Sequence, residues 1–543
     1  MAGFTTIYHY DNGDEFPVEW DDAEDAEQSY WWDAQHTPFA STPLAVDYFT
    51  LGLSQFKPGA TPQRRMPRFK PHPHGFWYTP GTPESLGDMV GQSIRENHGT
   101  INPDVAHLRR NWEREHAPEV TSTCHSLQTQ RASFSEISTV ASQLRGSFAL
   151  AMKGWNATTA QIRSMVASHM QLLLFCQEEF GDDAEELANV LEHGFATTTT
   201  SAHVSLWNLA QLAKSSPEVL KVLNADTEAD ISEALAGTPE GQAFAQGLTA
   251  YLARYGFRGD GWYELATPTP NEDPVVLLDR IQQMLSNNEP DPQIAIERSA
   301  RLRRATTQRL RHKLSGSPQK LTEFNRVLKD ASQYIPVKED RGVWQLTIPG
   351  SLRVPCLAAG ELLANHDLLE SADDIFYLHM EEIEQLAAAS NSGEWKTLVA
   401  TRRKEYAAHK ASNPPANIGG EYEVATNKPK DAPLASGEVL SGIPASAGAV
   451  EGRATVVRTL QEAGKLEAGD ILVCNSTSPA WSMLFSRISA VVTTGGGPLS
   501  HTAIVAREYK IPCVLDVAGV TLKVQDGMRI RVDGTKGTVA LVE

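Results

Sequence analysis

The chain has 543 residues, too many for one compact core, so two or three domains are expected. Its formal net charge of −19 argues against a nucleic-acid or acidic-membrane partner, and its hydrophobic share of 41% is ordinary for a soluble protein. The opening MAGFTTIYHYDNGDEF has neither a basic start nor an apolar core, and no apolar run is long enough to cross a bilayer, so no signal peptide and a cytoplasmic location are expected. Cys124, Cys176, Cys356, Cys474 and Cys513 are scattered without CxxC spacing, which predicts reduced thiols and no metal site.

Residues 1–120 are rich in Pro, Trp and His and are expected to be irregular. Within them, Trp20–Ala26 predicts a helix start with acidic residues at its positive end. Arg68–Tyr78, with His72, His74, Phe76, Trp77 and Tyr78, predicts an extended aromatic stretch that either walls a pocket or buries its own segment. From 121 to 411 helical periodicity dominates. Leu187, Val190 and Leu191, then Val204, Leu206, Trp207, Leu209 and Leu212, are spaced as buried helical faces. Between them lies Gly194–Ser201, a hydroxyl-rich break flanked by His193 and His203; it either lines a cavity between helices or is a solvated turn. Arg258 and Glu264 are expected to form an interior ion pair. Arg298–Lys313 predicts a basic helix with a solvated face, and Lys338-Glu339-Asp340-Arg341 reads by composition as a solvated charged turn. Residues 412–435 are polar and proline-rich, a linker by composition. Short strands broken by glycines fill 436–543.

The most informative stretch is Thr493–Arg507. A β-branched run, Ile488–Val492, predicts a buried strand, and Gly495-Gly496-Gly497-Pro498 breaks it. Ser500 is a good N-cap, and Ala503–Tyr509 has helical periodicity. His501 is therefore expected in the first turn of a helix, just after a Gly-rich loop. Unpaired N–H groups at that helix end favour a phosphoryl group, and the same field disfavours imidazolium. Such a histidine can take a phosphoryl group and pass it on. A strand–turn–helix whose histidine only caps or packs is the plainer reading of the same residues.

Gly496–Pro512, G-G-x-x-S-H-x-A-I-V-A-R-x-x-x-I-P, resembles the signature of the swivelling phosphohistidine domain of pyruvate phosphate dikinase, phosphoenolpyruvate synthase, rifampicin phosphotransferase and phenylphosphate synthase. The likeness continues through Gly527, Val532-Asp533-Gly534 and Gly537, and back to Gly442, Ser446, Gly448 and Gly452. Thr494 stands where that family usually has an acidic residue, and Asp516 where it usually has Gly. Trp31–Pro38 with Ser41–Leu44 is similar to the opening of substrate domains in the phenylphosphate-synthase-like group, and Tyr255–Pro274 to the corresponding series of rifampicin phosphotransferase. Asp373–Leu378 repeats a structural D-D-I-F-Y-L pattern of the same relatives.

The resemblance implies a multidomain α+β protein: a mainly helical acceptor-binding domain over 121–411 with an irregular front, a hinge at 412–435, and a small C-terminal α/β swivelling domain over 436–543. It implies His501 as the phosphoryl carrier, with Gly496, Gly497, Ser500, Thr502 and Arg507 around the phosphate. Relatives carry R-E-x-x-K or R-E-D-H where this chain has Lys338–Arg341, so Lys338 and Arg341 are expected to offset charge on the moving phosphoryl group. His36 is the leading candidate for the acceptor's base, and Trp32, His203 and Trp207 are candidate acceptor contacts. Ser476–Pro479 either touches the phosphate or holds the loop. Too little sequence follows His501 for a phosphoenolpyruvate barrel, and no Walker loop precedes it. ATP and Mg²⁺ are therefore expected on a separate ATP-grasp-type subunit and not on this chain. The expected reaction turns ATP and a phenol into an aryl phosphate, AMP and phosphate. The alternatives are a non-enzymatic phosphohistidine carrier and an antibiotic-type phosphotransferase fragment.

Overall fold

A computed structural model describes the chain except residues 1–3, 11, 21–22, 35–36, 56–69, 72–74, 81–102, 224–234, 236, 260–261, 287–288, 389–392, 421–432, 436, 498–499 and 543. His36, His72 and His74 lie outside the described residues.

The N-terminal segment is more regular than its composition predicts. β1 (Phe4–His9) and β2 (Glu15–Trp20) form an antiparallel hairpin in register from Phe4↔Trp20 to His9↔Glu15. Phe16, Val18 and Trp20 alternate inward, the two-residue period of a half-buried strand. A second sheet has the order β4 (Lys70–Pro71), β5 (Trp77–Pro80), β3 (Tyr30–Trp32), β6 (Asn417–Ile418). The helix start read at Trp20–Ala26 is a short helix, Ala23–Glu27. Phe76, Trp77 and Tyr78 are fully buried, and Trp77 meets Phe49 edge-on at 4.0 Å, so this aromatic stretch covers its own segment.

β6 comes from the stretch expected to be linker. It pairs with β3 through Tyr30↔Ile418, and Asn413 is buried against Thr521 and Asn475. The polar, proline-rich composition misleads here because the backbone and side-chain polar groups find partners inside the fold.

The helical body follows: α1 (Ala117–Gln128), α2 (Val140–Thr159), α3 (Ile162–Phe180), α4 (Ala184–Glu192), α5 (Thr198–Lys214), α6 (Pro239–Tyr255), α7 (Val275–Ser286), α8 (Pro292–Lys313), α9 (Pro318–Ala331) and α10 (Tyr334–Asn365). α10 is the axis of the body. It runs 32 residues and is buried on most of its circumference, with α1 and α2 in one continuous apolar cluster around it. The Lys338–Arg341 stretch is thus the start of a buried helix, not a solvated turn. Its glycines allow close approach: a Cβ on Gly350 would lie 1.9 Å from the Phe257 carbonyl oxygen, and one on Gly360 2.1 Å from that of Ala372. The loop at Phe257 uses this access, since the Gly259 N–H donates to the Leu346 carbonyl at 3.1 Å.

The expected Arg258–Glu264 ion pair does not form. The Arg258 guanidinium lies 4.9 Å over the Tyr255 ring and donates to the Tyr251 hydroxyl and the Tyr255 carbonyl. Glu264 accepts from the Thr42 N–H, the Thr42 hydroxyl and the Ala266 N–H instead. Hydrogen bonds satisfy both charges separately, which removes the need for a pair.

The C-terminal part is one eight-stranded mixed sheet in the order β7 (Val439–Ser441), β14 (Thr538–Leu541), β13 (Arg529–Asp533), β9 (Ala449–Val456), β10 (Ile471–Cys474), β11 (Ala490–Thr493), β12 (Cys513–Leu515), β8 (Ile443–Ser446). β9 to β12 are parallel neighbours, and the flanking pairs are antiparallel. Leu472, Cys474 and Val491 enter one apolar cluster, and Ile471, Val473 and Val492 another, so both faces of the central strands are covered. The fold is a mainly helical body followed by a small α/β domain, as expected.

Replacing Gly360 with Ala drives a methyl group into the turn at Ala372 and is expected to cost about 1–3 kcal/mol, the usual range for overpacking. Chemical denaturation of the two proteins checks this; an unchanged midpoint contradicts the close approach.

Candidate active site

β11 ends at Thr493, whose hydroxyl donates to the Gly495 carbonyl at 2.7 Å. The chain then turns through Gly496 at φ +120°, a conformation that favours glycine. α11 (His501–Tyr509) begins at once, capped by Ser500, whose Oγ accepts the Ala503 N–H at 3.3 Å. Thr502 exchanges a hydrogen bond with Thr477 at 2.8 Å, which fastens the start of α11 to the Ser476–Pro479 segment. The Arg507 Nε donates to the Ala445 carbonyl at 2.7 Å, a tie from α11 to β8. Asp516, at the place where a Gly was expected, has φ +54°, a region Asp tolerates better than most residues.

His501 is buried, with 7% exposure. Its Nε2 lies 3.1 Å from the Ser482 hydroxyl of its own domain. Its Nδ1 faces the helical body, 3.4 Å from Glu339 Oε2 on α10, and has no hydrogen-bond partner. Glu339 is held from two sides. The Thr199 hydroxyl donates to Oε2 at 3.0 Å, and the Lys338 ammonium stands 3.6 Å from Oε1. Thr198 donates to the neighbouring Asp340. The hydroxyl-rich break before α5 thus faces the active centre; Thr197 and Thr200 close it with a reciprocal capping box.

The electrostatics follow from enclosure. Burial alone raises the Glu339 carboxyl, but His501, Lys338 and Thr199 together outweigh it and hold the group at about 2. Burial pulls the Lys338 ammonium below its usual value and the Arg341 guanidinium down to about 10. The Arg341 Nε is buried without a hydrogen-bond partner, and Tyr334 and Tyr263 are its nearest opposing influences. Tyr263 packs against Phe49 at 4.0 Å and Trp155 at 4.9 Å, an aromatic cluster within electrostatic reach of Arg341. Gly342 keeps this face open: a Cβ there would be 3.7 Å from Trp262 and 3.9 Å from Pro479.

The remaining expected contacts fall elsewhere. Trp32 is a core residue whose Nε1 donates to the Thr37 carbonyl at 3.0 Å. Trp207 packs with the α5–α7 cluster and donates to the Glu289 carbonyl at 3.2 Å. His203 meets the Tyr509 hydroxyl at 2.6 Å; burial first, and the Arg280 charge second, lower it to about 3, so it is neutral. His203 therefore ties the body to the C-terminal domain, and Trp207 packs within the body. The main docking contact was not foreseen. Arg280 on α7 makes a two-pronged bond to Glu289, 2.6 Å on each side, while donating to the Met483 carbonyl. The Ser486 hydroxyl donates to Glu289 at 2.7 Å, and Arg487 to Gln283 at 2.6 Å. These groups bring the segment carrying Ser482 against the body and so place His501 beside α10.

Two outcomes follow. Glu289→Ala strands the buried Arg280 and Arg487 and is expected to remove about 3–5 kcal/mol, or to release the domain if docking is weaker than that. Denaturation and small-angle scattering read these effects; unchanged stability with an unchanged envelope contradicts the role. Glu508 on α11 is pushed up to about 8 by burial and then by the Glu339 charge. A raised carboxyl binds more protons folded than unfolded, so its contribution is present below the unfolded value and is lost as pH rises through 8. Glu508→Gln is expected to flatten that loss in melting curves recorded from pH 4.5 to 8.5, and a curve that keeps its slope contradicts the assignment.

Comparison with known proteins agrees with this architecture. Residues 466–537 match the PEP-utilising enzyme mobile domain, and residues 157–339 match the rifampicin phosphotransferase fourth domain. The chain is 30% identical over 348 residues to the rifampicin phosphotransferase of Streptomyces sviceus, covering 63% of this chain and 40% of that protein. It is 28% identical over 364 residues to the rifampicin phosphotransferase of Bacillus cereus, covering 66% and 41%. It is 27% identical over 559 residues to the chondramide synthase of Chondromyces crocatus, covering 97% of this chain and 14% of that protein. The chain thus spans less than half the length of each of these relatives. The C-terminal segment is therefore similar to the PEP-utilising enzyme mobile domain, and part of the helical body to a domain of rifampicin phosphotransferase.

Proposed function

We propose that this chain carries a phosphoryl group on His501 from Mg²⁺–ATP, held by a separate ATP-grasp-type subunit, to a phenolic hydroxyl bound in the helical body. The observation that carries the reading is the meeting of His501, on the C-terminal domain, with Lys338 and Glu339 at the start of α10. A histidine that only capped its helix would have no reason to be aimed into a second domain's buried charges.

In the first half-reaction the β-phosphoryl of ATP forms a bond to a ring nitrogen of His501, and AMP and phosphate leave, water taking the γ-phosphoryl. In the second, the acceptor oxygen attacks phosphorus, the N–P bond breaks, and its electron pair returns to the ring. The acceptor's proton passes to a base, for which His36 remains the candidate. Lys338 and Arg341 offset charge on the phosphoryl oxygens, and enclosure strengthens that effect. The aromatic cluster of Phe49, Trp155 and Tyr263 within electrostatic reach of Arg341 supports a phenolic acceptor. A match spanning 97% of this chain within 14% of a synthase supports treating the body and the mobile domain as one portable unit. Cytoplasmic ATP suits this assignment.

The test combines the chain with an ATP-grasp partner, ATP labelled in the β-phosphoryl, and a panel of phenols. Label is expected first on His501 and then in aryl phosphate, and none in His501→Ala. Lys338→Ala and Arg341→Ala are expected to slow transfer to the phenol by about 10²-fold or more while His501 still labels. Label that stays on the protein with every phenol overturns the acceptor assignment and leaves a carrier protein.

A further inference from the structure

We propose that Glu339, reaching from the helical body, sets the tautomer of His501: it draws the ring proton to Nδ1 and leaves the Nε2 lone pair as the atom that bonds phosphorus. The inference rests on the carrier reading above and adds a residue to it.

Three observations support it. First, His501 Nδ1 is buried and lacks a hydrogen-bond partner, and Glu339 Oε2 faces it at 3.4 Å. With a lone pair on Nδ1, two electron-rich atoms would confront each other away from water. With a proton there the contact becomes attractive, and a small turn of the ring or the carboxylate closes it to a hydrogen bond. Second, Glu339 cannot easily turn away, because Thr199 donates to the same oxygen at 3.0 Å and Lys338 attends the other. Third, Nε2 has a matching partner. The Ser482 hydroxyl, which donates to the Pro479 carbonyl at 2.8 Å, lies 3.1 Å from Nε2 and can turn its proton to that atom. When Nδ1 carries the ring proton, Ser482 donates to Nε2.

The pairing crosses a domain boundary, so it exists only while the mobile domain is docked on α10. A ring phosphorylated on Nε2 then keeps its Nδ1 proton on Glu339. As the acceptor oxygen bonds phosphorus, the N–P electron pair returns to Nε2 and the ring leaves as a neutral imidazole. No proton moves on or off the ring in that step; the only proton released is the acceptor's. Glu339 is a positioning residue, since it acts through His501.

The experiment uses the full chain labelled with ¹⁵N in histidine, with the His501 signals identified by their loss in His501→Gln. The wild type is expected to show a protonated Nδ1 and a lone-pair Nε2. In Glu339→Ala the ratio should invert toward the Nε2–H form that a free histidine side chain prefers. In Glu339→Gln, whose amide oxygen can still accept, the wild-type tautomer should persist. A wild-type ring protonated on Nε2, or an unchanged tautomer in Glu339→Ala, overturns the proposal; the first result stands even if the alanine variant fails to fold. A parallel treatment with phosphoramidate, read by ³¹P NMR, separates the two levels. Absence of phosphohistidine at His501 counts against the carrier reading alone, and the tautomer result decides the role of Glu339 independently.

Discussion

A buried imidazole that meets a carboxylate from a different domain is the contact on which the remaining architecture depends. For His501 and Glu339 to lie 3.4 Å apart, α11 must begin at the right residue, α10 must be rigid at its first turns, and the two domains must be docked. Each condition has its own physical support. Ser500 and the Gly496 turn fix the first. The apolar cluster around α10 fixes the second. The ion network of Arg280, Glu289 and Arg487 fixes the third.

Enclosing so much charge is costly unless every group is answered. Glu339 is answered by Thr199, Lys338 and His501, and Asp340 by Thr198 and Trp112. Arg341 differs, because its Nε is buried without a hydrogen-bond partner. The hydroxyl-rich break before α5 serves the same centre: its threonines cap a helix with some hydroxyls and hold α10 carboxylates with others.

The signals around His501 were legible because they are local. A β-branched run, three glycines and a serine cap describe a strand, a turn and a helix within twenty residues, and no distant residue can easily overrule them. The start of α10 was not legible in the same way. Lys338-Glu339-Asp340-Arg341 has the composition of a solvated turn, and only partners more than a hundred residues away make it a buried helix. Spacing also gave no warning that Arg258 and Glu264 would turn to different partners, since chain distance does not specify direction. His203 and Trp207, expected as acceptor contacts, bond to the Tyr509 hydroxyl and the Glu289 carbonyl, partners that lie far off in the chain. The Arg280–Glu289 pair had no sequence signal, and residues 413–418 were misread because their partners lie at Tyr30, Asn475 and Thr521.

The join between the C-terminal domain and the body combines hydrogen-bonded ions, hydroxyls and a carbonyl with two apolar anchors, Ile504 in the cluster around α10 and Met483 against the α5–α7 cluster. Water can take over each of those hydrogen bonds as the surfaces separate, whereas the packing of Ile504 and Met483 has no such substitute. Such a seam divides its strength between bonds that solvent can replace and a pair of greasy pegs that it cannot.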